Sequence, residues 1–138
     1  MTRVIYPFAT MKNYKKYYII PAPPEEVYWA LTNPLSIKLW TGEEAEMNTT
    51  AGSEFSIFDG SITGKNLEFE EGKKIVQQWD FEGEEEDSIV TIKLHEHKKG
   101  TSVELLHTNI PDEVYEEFVG GWNDNYFGSL LEFFEEEL

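Results

Sequence analysis

The chain reads as an α+β fold, in which a twisted antiparallel sheet curls over one long C-terminal helix. Three observations predict it. The elements come in segregated runs: one strand, short helices, several strands, then a helix. The last 28 residues, Pro111 to Leu138, carry an apolar stripe at helical spacing: Tyr115, Val119, Trp122, Tyr126, Leu130 and Phe133. Between Ser88 and Thr108 apolar and polar residues alternate instead, the period of a half-buried strand.

Taken in order, Tyr14–Ile20 (YKKYYII) is rich in β-formers and predicts a first strand, stopped by Pro21-Ala22-Pro23-Pro24. Pro24 followed by Glu25 and Glu26 suits a helix start, and Val27, Tyr28, Ala30 and Leu31 give that helix an apolar face. Asn33-Pro34 breaks it and opens a second short helix through Trp40. Thr41–Thr50 is acidic and loop-like, with a short strand at Glu46–Asn48. Strands follow at Glu54–Phe58, Ile62–Glu70 and Lys73–Phe81, separated by Asp59-Gly60 and Glu71-Gly72 turns; Ile75, Gln77, Trp79 and Phe81 share one face. Glu82–Asp87 is a charge run expected in a solvated loop. Strands at Ser88–His97 and Thr101–Thr108 are joined at Lys99-Gly100. A two-residue turn there pairs Leu94 with Leu105 and His95 with Glu104. It also turns Val90, Ile92, Leu94, Val103, Leu105 and His107 inward. The terminal helix, if continuous, is about 40 Å long at ~1.5 Å per residue. A second stripe, Phe127, Leu131, Phe134 and Leu138, lies roughly 100° around from the first. Either the first strand and the short helices cover it, or it makes a homodimer.

With 138 residues the chain suits one domain, here 14–138, preceded by an extension, 1–13. Met11 is a second plausible start, which makes Met1–Thr10 dispensable. A net charge of −16, with scattered basic residues, argues against nucleic acid and anionic membranes as partners. No apolar run approaches the ~20 residues of a membrane span and no secretory signal is evident. Cysteine is absent, so disulfides and thiol chemistry are excluded; a cytoplasmic setting is the expectation.

A family resemblance rests on three pieces: PAPPEEVYWALTNPLSIKLW, then GSEFSIFDGSITGKNLEFEEGKKIVQQWDF with its Gly-x-Asn and Trp-Asp strands, and GWNDNYFGSLLEFFEE in the last helix. Over roughly Tyr14 to Glu137 the chain resembles the C-terminal homology domain of activators of heat-shock protein 90 ATPase. These belong to the SRPBCC superfamily, whose helix-grip fold START domains and birch-pollen allergen share. Eukaryotic activators carry a separate N-terminal domain that drives most of the ATPase stimulation. This chain shows no counterpart of it and resembles stand-alone bacterial members.

A sheet gripping a helix leaves a gap at its far end, where a ligand can sit. Trp40, Phe58, Trp79, His107, Trp122 and Tyr126 are the candidate cavity residues, and each also reads as ordinary core. His95-x-His97 shares a strand face, but that face is solvent and no third ligand stands beside it, so no metal or other cofactor is expected. No catalytic motif is present. The first reading is a domain binding a small hydrophobic molecule. The second is a co-chaperone-like interaction module. The third is an enzyme of the cyclase or hydrolase type known among relatives.

Overall fold

The computed structural model describes residues 10–83 and 87–136. Residues 1–9, most of the expected extension, lie outside the described residues, as do part of the EGEEED run and Leu138. The order is β1 (Met11–Ile20), α1 (Pro24–Thr32), α2 (Pro34–Thr41), β2 (Glu54–Ile57), β3 (Ile62–Glu70), β4 (Lys74–Trp79), β5 (Ser88–His97) and β6 (Gly100–Pro111). A helical run follows: a 3-10 turn (Asp112–Val114), α3 (Tyr115–Gly120), a π turn (Gly121–Tyr126) and α4 (Phe127–Glu136). The strands form one antiparallel sheet in the order β1-β6-β5-β4-β3-β2. The α+β expectation is met: the apolar face of the sheet wraps the C-terminal helix, and α1 and α2 close one end.

Local signals explain most boundaries. Pro24 stands in the first turn of α1, with Glu25 and Glu26 beside the positive helix end. Asn33 caps α2, its side-chain oxygen accepting from the amides of Leu35 and Ser36. Gly42 ends α2 in the left-handed conformation. β1 begins at Met11, ahead of the Tyr14 where the β-forming run starts, because Met11 and Lys12 pair with Pro111 and Ile110. The expected strand near Glu46 is one bridge to Ser56.

Two expectations need correction. The β5–β6 turn is Lys98-Lys99, not Lys99-Gly100: His97 pairs with Gly100 and Leu94 with Val103. The shift is two residues, so every inward residue stays inward. Gly100 serves a different purpose: a Cβ there would lie 2.3 Å from the Ile20 carbonyl oxygen, so glycine lets β6 start against the end of β1. His95 pairs with Ser102 in the ladder, although its Nε2 still reaches Glu104 Oε1 at 3.0 Å.

The second correction concerns the last helix. It is not a uniform α-helix, because Gly121–Tyr126 is a π turn. Such a turn holds one residue more than an α turn, so the face presented to the core moves round by one position. Within it, Trp122 and Tyr126 still follow the first stripe. After it, Phe127, Leu130 and Phe134 are buried, while Phe133 is only partly so. Gly128 permits the wide turn: a Cβ there would stand 2.6 Å from the Asn123 carbonyl oxygen. Phe127 and Phe134 of the second stripe are therefore internal, Leu131 between them is partly buried, and Leu130 of the first stripe stays in the core. Phe127 stacks on Tyr18 of β1 at 4.3 Å between centroids, and α4 packs against α2 and β1. Asn123 ties the same turn to β1, with Oδ1 accepting from Lys16 Nζ at 2.7 Å and from the Tyr18 hydroxyl at 2.9 Å.

Candidate functional site

The inward face of β4 and β6 and the π turn bring the aromatic residues together. Trp79 stacks on Trp122 at 4.7 Å between ring centroids. Trp122 continues to Tyr126 at 4.6 Å, and Tyr126 to Trp40 at 5.0 Å. Phe58, at the end of β2, lies 6.2 Å from Trp40 and 6.3 Å from Tyr126. Phe58, Asp59 and Gly60 all have positive φ, 53°, 53° and 85°, so the turn after β2 is held in a conformation few residues favour. That turn sets Phe58 against the helix.

A cleft of about 270 Å³ opens between this turn, β4 and the π turn. Trp79, Trp122 and Tyr126 form its buried side and Phe58 and Phe118 its partly buried walls, with Glu43, Glu117, Ser61 and Asn125 also lining it. Of the candidate residues, Phe58, Trp79, Trp122 and Tyr126 line the cleft. Trp40 and His107 are not part of the lining; they stand behind it, with Trp40 against Phe58 and Tyr126 and His107 against Trp79 and Trp122. Trp40 Nε1 donates to the Ala30 carbonyl at 2.9 Å, which fixes α2 to α1. Phe118 was not among the residues singled out by sequence. Its signal is its position four before Trp122, one helical turn away.

His107 is fully buried and fully bonded. Trp122 Nε1 donates to its Nδ1 at 3.0 Å. An indole N–H only donates, so Nδ1 is an acceptor and the proton of the neutral ring sits on Nε2. Nε2 then donates to Ser88 Oγ at 2.8 Å, and Ser88 donates to the Thr108 carbonyl at 3.0 Å. Burial pushes the His107 pKa down from 6.5 to about 3. Protonation would also place two donors face to face at Nδ1. Asn66 and Gln77 form a second buried chain. Trp79 Nε1 donates to Gln77 Oε1 at 3.0 Å, Gln77 Nε2 to Asn66 Oδ1 at 2.9 Å, and Asn66 Nδ2 to Ser53 Oγ and the Asn48 carbonyl. The Gly-x-Asn piece thus has two structural uses. Asn66 completes this chain, and a Cβ on Gly64 would lie 1.9 Å from the Gln78 carbonyl oxygen.

Tyr126 differs from these. It is 6% exposed and burial raises its pKa, yet its hydroxyl has no hydrogen-bond partner among the described residues. No described buried polar side-chain atom is fully sealed without a partner, so the hydroxyl keeps access to solvent, and the opening its residue lines is the cleft. As for metal chemistry, no group of three or more His, Cys, Asp or Glu is arranged for an ion among the described residues. No helix there is long and apolar enough to cross a membrane.

Comparison with known proteins agrees with this geometry. Residues 21–135 match the family model described as Activator of Hsp90 ATPase homolog 1-like protein. The Dictyostelium discoideum "Activator of 90 kDa heat shock protein ATPase homolog" is 30% identical over 106 residues, 74% of this chain and 27% of that protein. The chain thus spans about a quarter of that relative's length. A crystal structure of an HSP90 activator from Plasmodium falciparum superposes with TM-score 0.79 and 29% identity, covering 88% of this chain and 94% of that one. The solution structure of the Aha1 dimer from Colwellia psychrerythraea, at 22% identity and TM-score 0.73, covers 91% of this chain and 95% of that one, and shares the fold. The chain belongs to the Activator of Hsp90 ATPase homolog 1-like family.

Proposed function

We propose that this chain is a co-chaperone-type module that docks on a 90 kDa heat-shock protein in the cytoplasm and raises its ATPase rate. One observation carries the reading. The likeness to the Plasmodium HSP90 activator extends over 94% of that solved chain, so nearly all of it has a counterpart here. The surface supports it. Trp29, Leu35 and Leu39, on the consecutive helices α1 and α2, are 61%, 72% and 71% exposed, and large exposed apolar side chains of this kind mark protein interfaces. The test is steady-state ATP hydrolysis by the chaperone with increasing amounts of this chain. A saturable rise is expected, and it should weaken at least tenfold in the double variant Trp29→Ala, Leu39→Ser. No change in rate and no complex by sedimentation would overturn the reading.

A second reading, binding of a small, largely apolar molecule in the cleft, is favoured by the unpartnered Tyr126 hydroxyl. A polar atom reached by solvent among aromatic walls is the kind of group that orients a ligand in an otherwise apolar pocket. Native mass spectrometry of freshly purified protein tests it: a retained small mass supports it, and its absence after screening of apolar ligands counts against it.

A further inference from the structure

The cleft has a sign as well as a shape. We propose that it takes a compact organic cation, of the quaternary or methylated ammonium class, held against its aromatic rings. The inference rests on the small-molecule reading of the cleft. Three observations lead to it. The walls are rings: Phe118, Trp122 and Tyr126 come from the helical run, and Phe58 and Trp79 face them from the sheet side. The negative face of an aromatic ring attracts a cation placed within ~6 Å of its centre; Trp79 and Trp122 turn a face to each other, so the partly buried Phe58 and Phe118 are the more accessible rings of the lining. The ionisable side chains of the lining, apart from Tyr126, are the carboxyls Glu43 and Glu117; among the described residues no Lys, Arg or His lines it. An anion would meet two carboxylates there and no cationic partner. The Tyr126 hydroxyl, bonded to none of the described residues, supplies one oxygen that can face a cation or bond a hydroxyl attached to it.

Size narrows the class. At about 270 Å³ the cleft is smaller than the ~300–1,000 Å³ of pockets for drug-sized ligands. A single alkylammonium head fits that scale; a long acyl chain or a fused polycyclic ligand does not. The protein's formal charge of −16 also raises the local concentration of any small cation.

The probe is choline. It is compared with dimethylbutanol, the neutral isostere in which carbon replaces nitrogen, and with pivalate, an anion of similar bulk. Tryptophan fluorescence and calorimetry follow binding at the Trp79 and Trp122 side of the cleft. Choline should bind at least tenfold more tightly than dimethylbutanol, and pivalate should not bind. Glu117→Gln, a change at an exposed side chain, should lower choline affinity several-fold while the melting temperature stays unchanged. Equal affinity for choline and dimethylbutanol would overturn the cation proposal and leave the apolar cleft standing. Tighter binding of pivalate would overturn it too. If neither choline nor its isostere binds up to the solubility limit, the cation proposal and the small-molecule reading fall together.

Discussion

Trp122 and Tyr126 sit four residues apart in one helical run, both at most 6% exposed, and they use their polar atoms in opposite ways. The Trp122 indole N–H is committed inward, to His107, Ser88 and the Thr108 carbonyl behind it. The Tyr126 hydroxyl is bonded to none of the described residues, and its residue lines the cleft. One end of the aromatic cluster is closed by a complete chain of donors and acceptors. The other keeps an unused polar atom beside empty space. The contrast separates a residue that holds the fold from one available to a ligand, although both look alike in the sequence.

The largest expected effect comes from breaking the closed side. Trp122→Ala removes a fully buried ring and leaves His107 Nδ1 without its donor, and should cost about 3–5 kcal/mol in a urea melt. A loss below about 1 kcal/mol would mean that the cluster repacks and that its two ends are not so different. Next comes pH. The folded-state pKa of His107 lies below the unfolded one, so the unfolded chain takes up the proton first. The contribution to stability is complete above pH 6.5 and is lost as pH falls toward about 3. The slope should approach about 1.4 kcal/mol per pH unit inside that window. Carboxylates begin to titrate below about pH 5, so unfolding midpoints are compared between there and neutrality, and the difference from a His107 variant isolates this one of the three histidines. His107→Leu should flatten this slope; an unchanged slope would assign it elsewhere. The smallest effect belongs to the open side. Tyr126→Phe removes a hydroxyl that bonds nothing in the described structure, and should change stability by less than about 0.5 kcal/mol. A loss above about 1 kcal/mol would place that hydroxyl in a network and erase the contrast.

Much of the fold was legible because local chemistry decided it. β3 and β5 span the residues that alternation and turn signals mark, and α1 and α2 begin at Pro24 and Pro34. Side-chain parity survived an error in register, so His107 was correctly turned inward while its strand partner was misassigned. The misassignment has a physical source. Gly100 looks like a turn residue, but its lack of a side chain serves contact with Ile20 and Ala22, far off in the chain. The π turn escaped notice because spacings of three and four fit both stripes before and after it. The doubled stripe and Gly128 were its traces. At the site, the gathering of Trp79, Trp122 and Tyr126 follows from strand parity and helix phase, whereas Phe58 joins them through the positive-φ turn after β2, against the parity of Phe55 and Ile57. The link from Ser88 to His107 did not, since it joins neighbouring strands through side chains 19 residues apart. Nor could spacing tell that Tyr126 keeps its hydroxyl free, which depends on what three separate segments leave unfilled.

The π turn also changes how the helix should be read as a signal. Its extra residue is a phase shift. The segment before it is timed to the cleft and β4, and the segment after it to β1 and α2. A regular helix of the same sequence would carry the first timing to the end and bring Phe133 toward the place that Phe134 occupies. Conversely, a shortened chain lacking one exposed residue of this turn, Asp124 or Asn125, would fall back into ordinary helical step with both halves still aligned. Over this stretch length is negotiable and phase is not, a tolerance opposite to that of the helix on either side.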